Sequence, residues 1–135
     1  LTAVATEHAG TPQGGIASME AASALYRAGR YEEALGHFET AQTLGGLVGS
    51  MALNGKAYTL ESLKRFDEAA VAFQAVRTAA NGGAKEQASI DLGRVYEAAG
   101  QPDKARAVYE EFEADFPESS LLADVQARAA AVASR

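Results

Sequence analysis

The feature that most constrains this chain is a period. Gly29-Arg30-Tyr31-Glu32-Glu33-Ala34, followed by Phe38 and Ala41, is answered by Lys64-Arg65-Phe66-Asp67-Glu68-Ala69, followed by Phe73 and Val76. It is answered again by Gly100-Gln101-Pro102-Asp103-Lys104-Ala105, followed by Tyr109 and Phe112. The alanines stand 35 and then 36 residues apart, and the aromatics four residues after them keep that spacing. A period of this length marks a supersecondary unit that cannot bury its apolar stripe alone and stacks on copies of itself.

The unit is helical. Apolar residues make up 47% of the 135 residues, and alanine carries much of that fraction. Alanine is the best helix former, and its small side chain lets helices approach closely. Gly29 and Gly100 sit where a left-handed helix end is expected, and Gly45-Gly46 and Asn81-Gly82-Gly83 break the pattern between units. Phe116-Pro117 ends a helix, and Ser119 or Ser120 can cap the next. These signals predict helices at about 14–28, 31–44, 47–63, 66–80, 84–98, 102–115 and 119–133.

Each unit then shows the tetratricopeptide (TPR) pattern, W-x2-L-G-x2-Y, then A-x3-F, then P. Leu92, Gly93, Tyr96, Ala105, Tyr109 and Pro117 match it in the third unit, with Ser89 in the tryptophan place. The first unit offers Ala22, Leu25, Ala34 and Phe38, and the second Leu53, Ala57, Leu60, Ala69 and Phe73. The second unit departs from the pattern with Lys56 in the leucine place. The chain therefore resembles TPR proteins. The resemblance implies an all-α, right-handed superhelix of antiparallel helix pairs, a single array over residues 1–135. Within it, 1–12 would be a partial repeat, 14–46, 47–81 and 84–117 full repeats, and 118–135 a capping helix. The capping helix would cover the last repeat with Leu121, Leu122, Val125, Ala129 and Val132 and turn Asp124, Gln126 and Arg128 to water. The small residues Ala22, Ala57, Gly93, Ala34, Ala69 and Ala105 would let paired helices approach, and Phe38, Phe73 and Tyr109 would fill the space between repeats.

Chemistry is sparse. With no cysteine there is no disulfide, thiolate zinc site or cysteine nucleophile. Neither His8 nor His37 has a Cys, Asp or His at i+3 or i+4 that would suggest a metal site. Gly45-Gly46-Leu47-Val48-Gly49-Ser50 lacks the Lys-Ser/Thr of a phosphate-binding loop, and Gly55-Lys56 is followed by Ala57. The acidic run Glu110–Asp115 spreads its carboxylates around a helix. We expect no enzyme, no cofactor and no metal. Twelve basic residues scattered among eighteen acids give a net charge of −6, which disfavours nucleic acid and an anionic membrane surface.

What remains is a surface for a protein or peptide. In TPR arrays the first helix of each pair lines the concave groove. The resemblance places Ile16, Met19, Ser23, Tyr26 and Arg27 there from the first repeat, and Met51, Asn54, Tyr58, Glu61 and Ser62 from the second. The third gives Gln87, Ile90, Asp91, Arg94 and Glu97. Met19, Tyr26, Met51, Tyr58 and Ile90 are apolar for such a face, and with Arg94 they are the candidate partner-binding residues. Co-chaperones that grip a terminal carboxylate use Lys and Asn at set groove positions. Met19, Ser23, Asn54 and Tyr58 stand in those places, so that mode is not expected.

Gly10–Glu20, leading into Ala24–Tyr31, resembles bacterial TPR-like proteins of the YfgM type. Phe112–Ser119 resembles envelope TPR proteins, including outer-membrane assembly lipoproteins and cell-division coordinators. The YfgM-type resemblance implies an envelope adaptor on the periplasmic side of the inner membrane, held by an N-terminal anchor that precedes Leu1 and has been removed, with no direct membrane contact by this segment. A cytoplasmic setting is the alternative. An apolar edge around Leu1, Val4 and Ile16 also allows a self-assembling scaffold, a homo-oligomer through repeat ends.

Overall fold

The computed structural model describes residues 12–134. The expected partial repeat at residues 1–12 lies outside them, save for Pro12, which opens the first helix. Seven helices and no strand are present among the described residues: α1 (Pro12–Arg27), α2 (Tyr31–Gln42), α3 (Gly46–Ser62), α4 (Phe66–Ala79), α5 (Gly82–Ala98), α6 (Pro102–Asp115) and α7 (Leu122–Ala133). The all-α class read from the sequence holds, and the helix bounds fall within about three residues of those expected.

Local chemistry explains where the helices stop. Gly29 and Gly100 adopt φ of 78° and 74°, and Lys64, at the equivalent place, adopts φ of 61°. At each, the next amide donates to the carbonyl five residues back: Arg30 to Leu25, Arg65 to Leu60 and Gln101 to Tyr96. The left-handed residue's own amide donates three residues back, to Tyr26, Glu61 and Glu97. This is the Schellman closure, which satisfies carbonyls that a helix end leaves open. Pro102 then starts α6, where its missing N–H costs nothing. Ser119 behaves differently from the expected helix cap. Its hydroxyl accepts from the amide of Leu121 at 3.0 Å and closes a turn, so α7 begins at Leu122.

The chain forms two compact units, one ending at Ala72 and the other starting at Phe73, with the boundary inside α4. In the first unit α1 packs on α2, α2 on α3, and α1 touches α3. Ala22, Ala34, Ala41 and Ala52 sit at the crossings with essentially no exposure, around the ring of Phe38. Burying one such ring stabilises the fold by roughly 1.5–3 kcal/mol. Lys56, in the family's leucine place, is half-buried, and its ammonium reaches Glu39 of α2 at 3.7 Å. The aliphatic stem fills the apolar position while the charge leaves it.

In the second unit α5 packs on α6 and α6 on α7. Tyr109, Phe112, Val125 and Val132 form its core with Ile90 and Ala105, and Leu121, Leu122 and Ala129 pack against it as the α7 stripe predicts. The Tyr109 hydroxyl is the exception in this apolar setting, and it donates to Glu97 Oε2 at 2.6 Å. Burial, and then the Glu97 carboxylate, push the phenol well above its ordinary range. Arg128 is half-buried beside it rather than turned fully to water, and pairs with Asp124 at 3.1 Å.

Candidate functional site

The candidate residues separate by helix. On α3, Met51 and Tyr58 are seven residues apart and therefore share a face. Met51 is 54% exposed. On α1, Tyr26 is half-buried, and its hydroxyl is 3.1 Å from the Ser62 hydroxyl of α3. The Tyr31 ring meets Tyr26 edge-on, centroids 5.2 Å apart. Tyr26 is thus fixed at its tip and along its edge.

Between the two helices lies a cleft of about 260 Å³, lined by Ser23, Tyr26, Arg27, Phe38, Gly55 and Tyr58. Phe38 and Gly55 are the members that sequence reasoning did not assign to the site. They belong together: a Cβ on Gly55 would stand 2.4 Å from ring carbon Cε1 of Phe38. The bare glycine lets the ring slide under α3 and floor the cleft. A glycine inside a helix costs about 1 kcal/mol relative to alanine, and that cost was the available signal that something packs against it.

Other candidates are placed elsewhere. Met19 is half-buried and packs against the first unit's core. Ile90 is a correction: it is 5% exposed and lies in the core of the second unit, so no partner can reach its side chain. Helix α5 turned its apolar residue inward at this position, a phase that spacing alone does not fix. Arg94 lies 2.8 Å from the buried carboxylate of Asp91, which also accepts from Gln87 at 3.1 Å. On this helix the polar groups answer one another.

A wider depression of about 580 Å³ is lined by Leu25, Arg30, Glu33, Gly36, His37 and Thr40. Its charged residues, Arg30 and Glu33, pair with each other at 2.5 Å. Among the described residues no three His, Asp or Glu converge as a metal site would require, and no helix is long and apolar enough to cross a membrane. The cleft between α1 and α3 is the better candidate, because it gathers three aromatic side chains with one arginine.

Comparison with known families returns one description twice. A family model described as tetratricopeptide repeat matches residues 1–46 and 19–84, and a second of the same description matches residues 60–129. No curated protein matches the chain.

Proposed function

The chain belongs to the tetratricopeptide repeat family, and we propose that it is a non-catalytic interaction module that holds a partner segment on the exposed face of α1 and α3. Repeats of this family generally mediate protein–protein interaction. The observation that carries the reading is the cleft between Tyr26 and Tyr58. It is open and lined by Tyr26, Phe38 and Tyr58, and Tyr58 shares its face of α3 with exposed Met51, the kind of surface that anchors a short segment by its side chains.

Peptide display against the whole protein tests it, with Tyr26→Ser/Tyr58→Ser/Met51→Ser as the comparison. Selected sequences are expected to bind the variant at least about tenfold more weakly, the loss of one good anchor. Binders retained equally by both proteins would remove the groove from the account.

A second copy of the chain is the rival occupant. It is favoured by Leu47 and Ile16, which are 77% and 52% exposed near the N-terminal ends of α3 and α1. Sedimentation across a concentration series separates the two, since a strict monomer excludes self-assembly. We further place the module on the periplasmic side of a bacterial inner membrane, as an envelope adaptor. The support is the likeness of Gly10–Glu20 and Phe112–Ser119 to such proteins. Protease accessibility in spheroplasts of the native host tests it, and a protected chain would move it to the cytoplasm.

A further inference from the structure

We infer that the cleft between Tyr26 and Tyr58 takes an aromatic side chain from an internal partner segment, and that the residue beside it presents a side-chain carboxylate to Arg27. The inference rests on the partner-holding role proposed above and narrows it to one chemistry.

Size comes first. At about 260 Å³ the cleft falls below the roughly 300–1,000 Å³ of sites that hold drug-sized molecules, so it suits a single large side chain. The walls select its type. Tyr26 and Tyr58 line it, and the largely buried ring of Phe38 completes the lining. A planar ring satisfies all three in offset or edge-on contacts that an aliphatic chain cannot make. Tyr26 is already held by Ser62 and Tyr31, so little freedom is lost when the guest arrives.

Charge decides the neighbour. Arg27 is the sole charged residue lining the cleft, and it is exposed. Among the described residues every other arginine has an acidic partner: Arg30 with Glu33, Arg65 with Glu68, Arg77 with Glu111, Arg94 with Asp91, Arg106 with Glu110 and Arg128 with Asp124. Arg27 makes no such pair among the described residues. In a chain with a net charge of −6, this guanidinium at the lip of the cleft is a cation with no acidic partner among the described residues. Its planar fork matches a carboxylate with two parallel hydrogen bonds. One guanidinium answers one carboxylate, and blocked peptide ends in the test below confine that carboxylate to an Asp or Glu side chain.

Titration of the isotope-labelled protein with end-blocked peptides tests this, with Asp-Phe, Asp-Ala or Lys-Phe at the centre of a Gly/Ser sequence. The Asp-Phe peptide is expected to shift the amide signals of α1 and α3 around Tyr26 and Tyr58 in a saturable way. Asp-Ala should bind about tenfold more weakly, and Lys-Phe about threefold more weakly at low salt. In Arg27→Glu, an exposed change that leaves the packing untouched, the order of Asp-Phe and Lys-Phe should reverse. Equal or stronger binding of Lys-Phe by the unaltered protein would overturn the inference, as would no saturable shift with Asp-Phe. The display selection keeps the two ideas apart. Selected peptides that depend on Tyr58 but lack an acid–aromatic pair would leave the partner-holding role standing and sink this chemistry.

Discussion

The ring of Phe38 occupies the space that a side chain on Gly55 would need, with Cε1 2.4 Å from the position of an added Cβ. Gly93 stands in the same relation to Tyr109 in the second unit, at 2.2 Å. In both places an aromatic of one helix is admitted by a glycine on another. We expect Gly55→Ala to destabilise the protein by about 1–3 kcal/mol through overpacking, despite the better helix propensity of alanine. Urea unfolding measures it. Phe38→Leu in the same chain should recover part of the loss, since contacting residues do not add. An unchanged midpoint for Gly55→Ala would show that the ring moves aside freely.

Lys64 holds the left-handed conformation that Gly29 and Gly100 hold elsewhere. A residue with a Cβ costs roughly 1–2 kcal/mol there, partly offset by the greater unfolded-chain freedom of glycine. Lys64→Gly is therefore expected to stabilise the protein by about 0.5–1 kcal/mol. Gly29→Ala and Gly100→Ala should shift the thermal midpoint the other way. A lower midpoint for Lys64→Gly would mean that the lysine side chain contributes more than its backbone strain costs.

The Tyr109 phenol titrates above its ordinary value because burial, then the hydrogen bond to Glu97, disfavour the phenolate. The folded protein thus binds this proton more tightly than the unfolded chain does. The contribution is complete below the unfolded value of about 10 and falls as pH rises past it, by up to about 1.4 kcal/mol per pH unit. Unfolding midpoints measured from neutral pH to strongly alkaline solution should decline faster for the unaltered protein than for Tyr109→Phe. Parallel declines would assign the loss to other groups. Near neutral pH the same variant should lose about 1–2 kcal/mol with the missing hydrogen bond.

Arg77 and Glu111 join α4 to α6 from unequal surroundings, with side chains 10% and 59% exposed. Water can replace the carboxylate more easily than it can reach the guanidinium. Glu111→Gln should cost under about 1 kcal/mol, in the range of solvent-screened pairs. Arg77→Ala should cost about 2–3 kcal/mol, because the buried stem leaves a cavity. Arg77→Met, which keeps the volume and removes the charge, should lie close to the unaltered protein. Chemical denaturation of the three variants gives the ranking, and a larger loss for Glu111→Gln than for Arg77→Ala would reverse this account.

The repeat was legible because it is written in residues whose packing allows few alternatives. Ala34, Ala69 and Ala105 are all fully buried, as the spacing required. Turn chemistry was legible at Gly29 and Gly100 and not at Lys64, where position in the period, rather than residue type, carried the information. The site was half legible. Tyr26 and Tyr58 share a cleft as their places on the first helices implied. Ile90 does not join them, because a helix with buried Ser89, Asp91 and Gly93 on several sides gives no clear apolar phase. Phe38 and Gly55 escaped notice because their meeting is a fact of distance between helices, which no spacing along the chain records.

The placement of Phe38 also says where this chain can be cut. The ring belongs to α2, yet Gly55 of α3 houses it. A fragment ending at Gln42 would hold a complete helix pair and leave the buried Phe38 ring without a roof. The shortest portable piece is consequently three helices, and a duplication or graft respecting that overlap starts and stops one helix out of step with the written repeat.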